Sequence, residues 1–169
     1  MIYLIMGVSG SGKTTIGKAL SQELGYTFSD ADDFHPSENI AKMSQGIPLN
    51  DSDRLPWLLA IKTVINEHQQ SQENAVITCS ALKQSYRDLL QDNATNIIWI
   101  YLKGSYETIL NRLEKRAEHF MKPQMLISQC QALEEPENAV IIDINLSVSE
   151  IIETIINQTD AKIDSNMKP

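Results

Sequence analysis

Five short apolar runs punctuate the chain, at 2–6, 26–29, 75–79, 97–102 and 139–143, and longer stretches with apolar residues at helical spacing lie between them. Alternation of this kind predicts a parallel α/β sheet. The runs at 75–79 and 97–102 are apolar almost without interruption, which predicts strands covered on both faces and helices on both sides of the sheet. From Trp57 onward, Trp57, Leu58, Ile61, Val64 and Ile65 share one helical face, with Asp53 as the expected cap and Pro56 in the tolerant first turn. Ser147 and Glu150 make a capping box ahead of Ile151, Ile152, Ile155 and Ile156, so a last amphipathic helix is expected to close the core. Past Asn157 the chain turns polar. Residues 159–169 therefore read as a disordered tail behind a single domain at 1–158.

Composition narrows the class of partner. A length of 169 residues fits one domain, and 42% hydrophobic with 21% charged residues is ordinary for a globular chain. The aromatic share of 6% argues against platforms for stacking bases. A net charge of -8, with no long basic stripe to offset it, argues against nucleic acid and anionic membranes as partners. Cys79 and Cys130 supply neither a disulfide framework nor paired metal-ligand spacing. The N-terminus enters the first strand with no basic n-region, and no apolar run approaches the ~20 residues that span a bilayer, so a cytoplasmic location is expected.

The chemistry begins directly after the first strand. Gly7, Val8, Ser9, Gly10, Ser11, Gly12, Lys13 and Thr14 match the phosphate-binding P-loop in residues and in context. Glycines let the backbone turn tightly and bring its N–H groups around anionic oxygens, and the following helix offers them its positive end. Lys13 is expected to reach the β- and γ-phosphates of ATP, Thr14 to offer its hydroxyl to Mg²⁺, and Thr15 to complete the nucleotide-binding set. The strand at 75–79 ends Thr78-Cys79-Ser80, without the aspartate of a Walker-B strand, and no Asn-Lys-x-Asp motif occurs. Both absences disfavour a motor, a switch ATPase or a GTPase.

Other polar clusters fall at the predicted strand ends, which face one crevice in a parallel sheet. Asp30 and Asp32 alternate along what reads as extended chain and so point to one side, where one could hold a metal-bound water and the other accept a hydroxyl proton. Capping of a turn is the plain alternative for Asp30, Asp32 and Asp33, as it is for His35 before Pro36. Arg54 can clamp a carboxylate or phosphate, or simply neutralise Asp51 and Asp53. Lys83 and Arg87 read as an i,i+4 pair on one helical face after the third strand. Arg112 and Arg116 form another such pair, leading toward a lid over 116–125 that would exclude water and supply positive charge.

Taken together, these residues resemble the P-loop gluconate kinases, close relatives of shikimate kinase and the nucleoside monophosphate kinases. The carriers are the P-loop at 7–14, Asp30 to Pro36, Asn39, Lys42-Met43, the segment 46–51, Asp53-Arg54, Pro56-Trp57, the segment 79–83, the segment 86–90, the segment 101–104, His119-Phe120 and the segment 124–126. The resemblance runs in order over about residues 4–143. It implies a five-stranded parallel sheet of the nucleoside monophosphate kinase-like P-loop NTPase class, with helices on both faces and a mobile lid. The implied reaction is transfer of the ATP γ-phosphoryl group to the 6-hydroxyl of D-gluconate; a kinase for another polyol acid such as shikimate, or an ATP-binding switch module, are the competing readings.

On this resemblance Lys13 and Thr14 serve ATP and Mg²⁺, Asp30 holds a metal-bound water, Asp32 is the acceptor-hydroxyl base, and Arg112 and Arg116 are lid arginines near adenine and phosphates. His35, Arg54, Lys83, Arg87 and His119 are the expected residues around the sugar acid, cations toward its carboxylate and His35 toward hydroxyls. A homodimer is compatible with the resemblance, although no feature of the sequence marks an interface. Glu118 stands where the lid usually has glycine, and Cys130 where an aromatic usually follows Ser128-Gln129.

Overall fold

All five apolar runs become strands: β1 (Ile2–Met6), β2 (Thr27–Asp30), β3 (Ala75–Thr78), β4 (Ile97–Lys103) and β5 (Val140–Asp143). The computed structural model describes residues 1–92, 96–115 and 123–166. The strands pair in the order β2-β3-β1-β4-β5, every pair parallel, with Leu4 of β1 set between Ile77 of β3 and Trp99 of β4. The chain runs out to β2, returns through β3, and then crosses β1 to β4. The crevice at the C-terminal end of β1 therefore lies at the reversal of strand order, where open α/β sheets bind ligands.

Side chains of β1 alternate between two cores, as a period of two requires. Ile2, Leu4 and Met6 pack with Trp57, Leu58, Ile61 and Ile65 of α3 (Asp51–Gln70) and with Tyr86 and Leu90 of α4 (Gln84–Gln91). Tyr3 and Ile5 face the opposite layer. There Ile16 and Leu20 of α1 (Lys13–Leu24) meet Ile109 and Leu113 of α5 (Tyr106–Glu114), Leu126 of α6 (Pro123–Ala132), and Ile151 and Ile155 of α7 (Val148–Asn166). Each such aliphatic side chain contributes roughly 1.5–3 kcal/mol by leaving water. A short helix α2 (Ser37–Ser44) and the helical turn Ala31–Phe34 fill the segment after β2. Among the described residues no helix is long and apolar enough to cross a membrane.

Two boundaries differ from the sequence expectation. Helix α3 starts ahead of Asp53: Asn50 is its cap, accepting from the Asp53 N–H at 2.9 Å, while the Asp53 carboxylate accepts from the Asn50 N–H at 3.1 Å. Asn and Asp are both good caps, and the reciprocal bond decides between them. Pro56 consequently stands in the second turn, where its missing N–H would have served the Ser52 carbonyl. Both residues are exposed, so solvent can take that carbonyl.

The other boundary that differs is at the C-terminal helix. Helix α7 continues to Asn166 instead of ending near 158. Thr159 is completely buried; its hydroxyl accepts from Tyr3 Oη at 3.3 Å and donates to the Ile156 carbonyl at 3.0 Å. A threonine that satisfies itself on the preceding turn can occupy a core position, and composition alone hides that. The predicted lid at 116–125 falls outside the described residues except for its last three, which open α6.

Candidate active site

The turn between β1 and α1 has the backbone its glycines predict. Gly7, Gly10 and Gly12 adopt φ of 148°, 83° and 101°, and Gly12 in the left-handed region is the N-cap of α1. Among the described residues no side chain caps that helix, so its first-turn N–H groups remain directed at the loop. Lys13 Nζ donates to the Val8 carbonyl at 3.2 Å, curling back over the turn. Ser11 Oγ is buried in the loop without a hydrogen-bond partner among the described residues, a polar atom suited to an oxygen-rich ligand.

On one side of the turn a cavity of about 360 Å³ is walled by Ser11, Gly12, Thr15, Arg112, Ile144 and Leu146. Arg112 donates to the carbonyls of Ile144 and, at 3.5 Å, of Ser11. Its guanidinium thus ties the loop after β5 to the P-loop and lines the space beside it. The mixture of apolar walls and backbone carbonyls suits a nucleoside.

Thr14 Oγ1 donates to Asp30 Oδ2 at 2.7 Å, which brings the P-loop hydroxyl and the end of β2 together. Asp30 also caps the turn Ala31–Phe34, accepting from the Asp32 N–H at 3.2 Å. Here the extended-chain expectation fails: the backbone coils at Ala31, so Asp32 reaches the crevice from a helical turn and not from a strand alternation. A hydroxyl and a carboxylate are hard oxygen donors of the kind Mg²⁺ takes. No cluster of three or more His, Cys, Asp or Glu occurs among the described residues.

Across the P-loop from that cavity lies a second one, of about 250 Å³. Lys13, Ser9 and Asp32 border it near the loop, His35, Trp57 and Arg54 form a polar wall, and Ile40, Met43 and Leu49 an apolar one; Met125, Ser128 and Gln129 close it from α6. The His35 ring stacks on Trp57 with centroids 4.5 Å apart and planes 8° from parallel, and the indole is itself anchored by its N–H to the Ala31 carbonyl at 2.7 Å. Burial lowers the His35 pKa from its ordinary value; the Asp32 carboxylate opposes that shift and Arg54 adds to it. His35 Nδ1 is buried with no hydrogen-bond partner among the described residues.

Arg54 reaches this wall because α3 begins just before it. Its Nη1 donates to Tyr86 Oη at 3.4 Å, and the Tyr86 hydroxyl donates to Asp51. Lys83 Nζ donates to both Asp51 oxygens, at 2.7 and 2.9 Å, and Lys42 pairs with Asp53 at 2.7 Å. The two carboxylates that could have occupied Arg54 are thus each held by a lysine. Hydrogen bonds from Lys83 and then Tyr86 hold the Asp51 carboxyl below its ordinary value, and burial followed by the Asp51 bond raises the Tyr86 phenol.

Lys83 and Arg87 do not take the places expected of them. Helix α4 starts at Gln84, so Lys83 is its cap residue, turned to Asp51 and absent from the cavity wall. Arg87 is buried; it donates to the Ala81 and Leu82 carbonyls at 2.9 and 3.1 Å and to Gln84 Oε1 at 2.7 Å. It braces the turn after β3, where Ala81 holds a left-handed φ of 39°. A conformation costing roughly 1–3 kcal/mol needs such a brace. Arg116, Glu118 and His119 lie outside the described residues, and Cys130 packs half-buried against the α1 side of the core.

Helix α6 brings to the cavity three residues that the sequence does not mark as site candidates. Met125, Ser128 and Gln129 follow an i, i+3, i+4 spacing, the one signal that would have placed them on a common face, and the Ser9 N–H donates to Gln129 Oε1 at 2.7 Å. Trp57 reads in the sequence as a core residue; it is buried, yet one face of its ring carries His35.

Comparison with known proteins identifies the family of the chain. A family model of shikimate kinase matches residues 9–160. The thermosensitive gluconokinase of Escherichia coli K12 is 46% identical over 155 residues, covering 89% of this chain and 83% of the relative. Among solved structures, a gluconokinase from Sinorhizobium meliloti 1021 superposes with a TM-score of 0.87 at 38% identity, over 98% of this chain and 97% of the other. An unliganded sugar kinase from Janibacter sp. HTCC2649 gives a TM-score of 0.88 at 40% identity, over 94% of each chain.

Proposed function

The chain belongs to the gluconokinases, within the wider shikimate kinase family of P-loop enzymes, and from that membership we propose that it phosphorylates D-gluconate at the 6-hydroxyl, giving 6-phospho-D-gluconate and ADP. The observation that supports the reading is one cavity whose lining includes Lys13 of the P-loop, the Asp32 carboxylate and the Arg54 guanidinium. A guanidinium in the cavity that also holds a candidate base suits a sugar acid, held by its carboxylate with a hydroxyl presented to ATP.

In this mechanism the Asp32 carboxylate accepts the proton of the 6-hydroxyl as that oxygen bonds to the γ-phosphorus and the bond to the ADP oxygen breaks. Lys13 and the P-loop N–H groups offset charge on the phosphoryl oxygens. His35, kept neutral by burial, retains one donor and one acceptor nitrogen for acceptor hydroxyls. Arg112 serves the nucleoside side; Arg116 is the lid cation for the phosphates, and His119 joins the acceptor side. Thr14, with Asp30 through a water, would hold Mg²⁺, whose charge would steady the phosphates.

Coupled ADP release with Mg-ATP tests the function, comparing D-gluconate, shikimate, other sugar acids and no acceptor. Stimulation by gluconate above all others is expected. Stimulation by a different acid would overturn the substrate, and acceptor-independent turnover throughout would overturn the kinase reading. Asp32→Asn should lower kcat by roughly 10²–10⁴-fold while leaving ADP affinity within about twofold, since it removes the base and leaves the P-loop intact. Normal turnover by that variant would remove Asp32 from the mechanism.

A further inference from the structure

Gln129 stands where the nucleotide loop and the acceptor cavity meet. Its Oε1 accepts from the Ser9 N–H of the P-loop at 2.7 Å, and the same side chain lines the acceptor cavity. That bond decides which way the amide faces. Only an oxygen can accept from a backbone N–H, so the amide is fixed with Oε1 on Ser9, and the two Nε2 hydrogens are what Gln129 has to offer the cavity.

The helix beneath it is firmly held. Leu126 is completely buried in the core and Met125 nearly so, and both precede Gln129 by about one turn. The side chain therefore projects from a docked element and holds a defined position relative to the P-loop. Of the other polar groups around the cavity, Lys13 and Arg54 are donors only, Asp32 accepts, His35 has one donor to give, and Ser9, Ser44, Ser80 and Ser128 each bring a single hydroxyl, whereas Gln129 brings two hydrogens on one neutral amide. An acceptor molecule rich in hydroxyls needs neutral donors that read lone pairs without competing for its carboxylate.

We propose that Gln129 is a specificity-determining residue of this chain, donating from Nε2 to a hydroxyl oxygen of the polyol acid while its Oε1 keeps that contact in register with the P-loop. The proposal rests on the acceptor-site reading above. Its consequence is that recognition of the acceptor is tied directly to the loop that holds the phosphates.

The test uses the full chain and whichever sugar acid the wild-type protein phosphorylates, so a wrong substrate identity shows in the wild type alone. Gln129→Met is nearly isosteric and removes both hydrogen bonds. The KM for the acceptor should rise roughly five- to tenfold, the loss of about one hydrogen bond, with ADP affinity within about twofold and the urea midpoint near that of wild type. Gln129→Glu, which keeps an acceptor for Ser9 and lacks the donors, should also raise the acceptor KM. In a series of mono-deoxy analogues, one analogue should bind wild type and Gln129→Met equally. An unchanged acceptor KM in both variants, or a loss spread evenly over every deoxy analogue, would reduce Gln129 to a support for the P-loop and overturn the proposal.

Discussion

At His35 the balance between solvation and charge has a measurable sign. Burial against Trp57 lowers its pKa below the ordinary 6.5, with Asp32 pulling the other way. As pH falls through 6.5 the unfolded chain takes up the imidazole proton before the folded one does. The unfolded state then binds more protons, so stability is fully present above that pH and is lost progressively below it. Urea unfolding at about pH 7.5 and about pH 5.5, above the carboxylate range, should therefore show a larger fall in midpoint for wild type than for His35→Gln. Parallel shifts in the two proteins would mean that His35 carries no such linkage.

At the scale of elements, α1 lies close against the sheet because Gly17 has no side chain. A Cβ there would sit 2.6 Å from Thr78 Cγ2 on β3 and 2.7 Å from the Phe28 ring on β2. In an open helix Gly→Ala gains about 1 kcal/mol of propensity, while overpacking a buried contact costs about 1–3 kcal/mol. With Thr78 fully buried and unable to retreat, the clash wins, so Gly17→Ala should lower the thermal midpoint; an unchanged or raised midpoint would show that the helix can shift.

Elements of this kind differ in how plainly the chain announces them. The strands are legible because a doubly covered strand must be apolar throughout, and the P-loop because its glycines and lysine admit few other uses. The start of α3 is ambiguous because Asn50 and Asp53 are both capping residues, and the pairing of their side chains is reciprocal. Lys83 and Arg87 are legible only as charges. Whether such a charge meets ligand, carboxylate or carbonyl depends on where α4 begins, one residue after Lys83. Gln129 is silent for the same reason, since its meaning lies in a contact 120 residues away in the chain.

For the whole molecule, the decisive question is what closes the sheet at its N-terminal strand. Tyr3 lies on central β1 with its ring in the core, and its hydroxyl donates to Thr159 near the far end of the chain. Burial raises the Tyr3 phenol, the mark of a group with little access to water. A chain ending at 158 would leave this hydroxyl without Thr159 and shorten the helix that seals it. An unsatisfied buried donor costs roughly 1–3 kcal/mol, and about 2–4 °C per kcal/mol is usual for a domain of this size, so the thermal midpoint should drop by roughly 2–12 °C. Ending the chain at 166 should leave it unchanged. Both truncations keep the P-loop, Asp32 and Arg54, so kcat and KM at temperatures below unfolding should match the full chain. Equal midpoints for the two truncations would return the segment after 158 to the dispensable tail that its composition suggests, whereas a loss of activity without a loss of stability would assign it a part in the site.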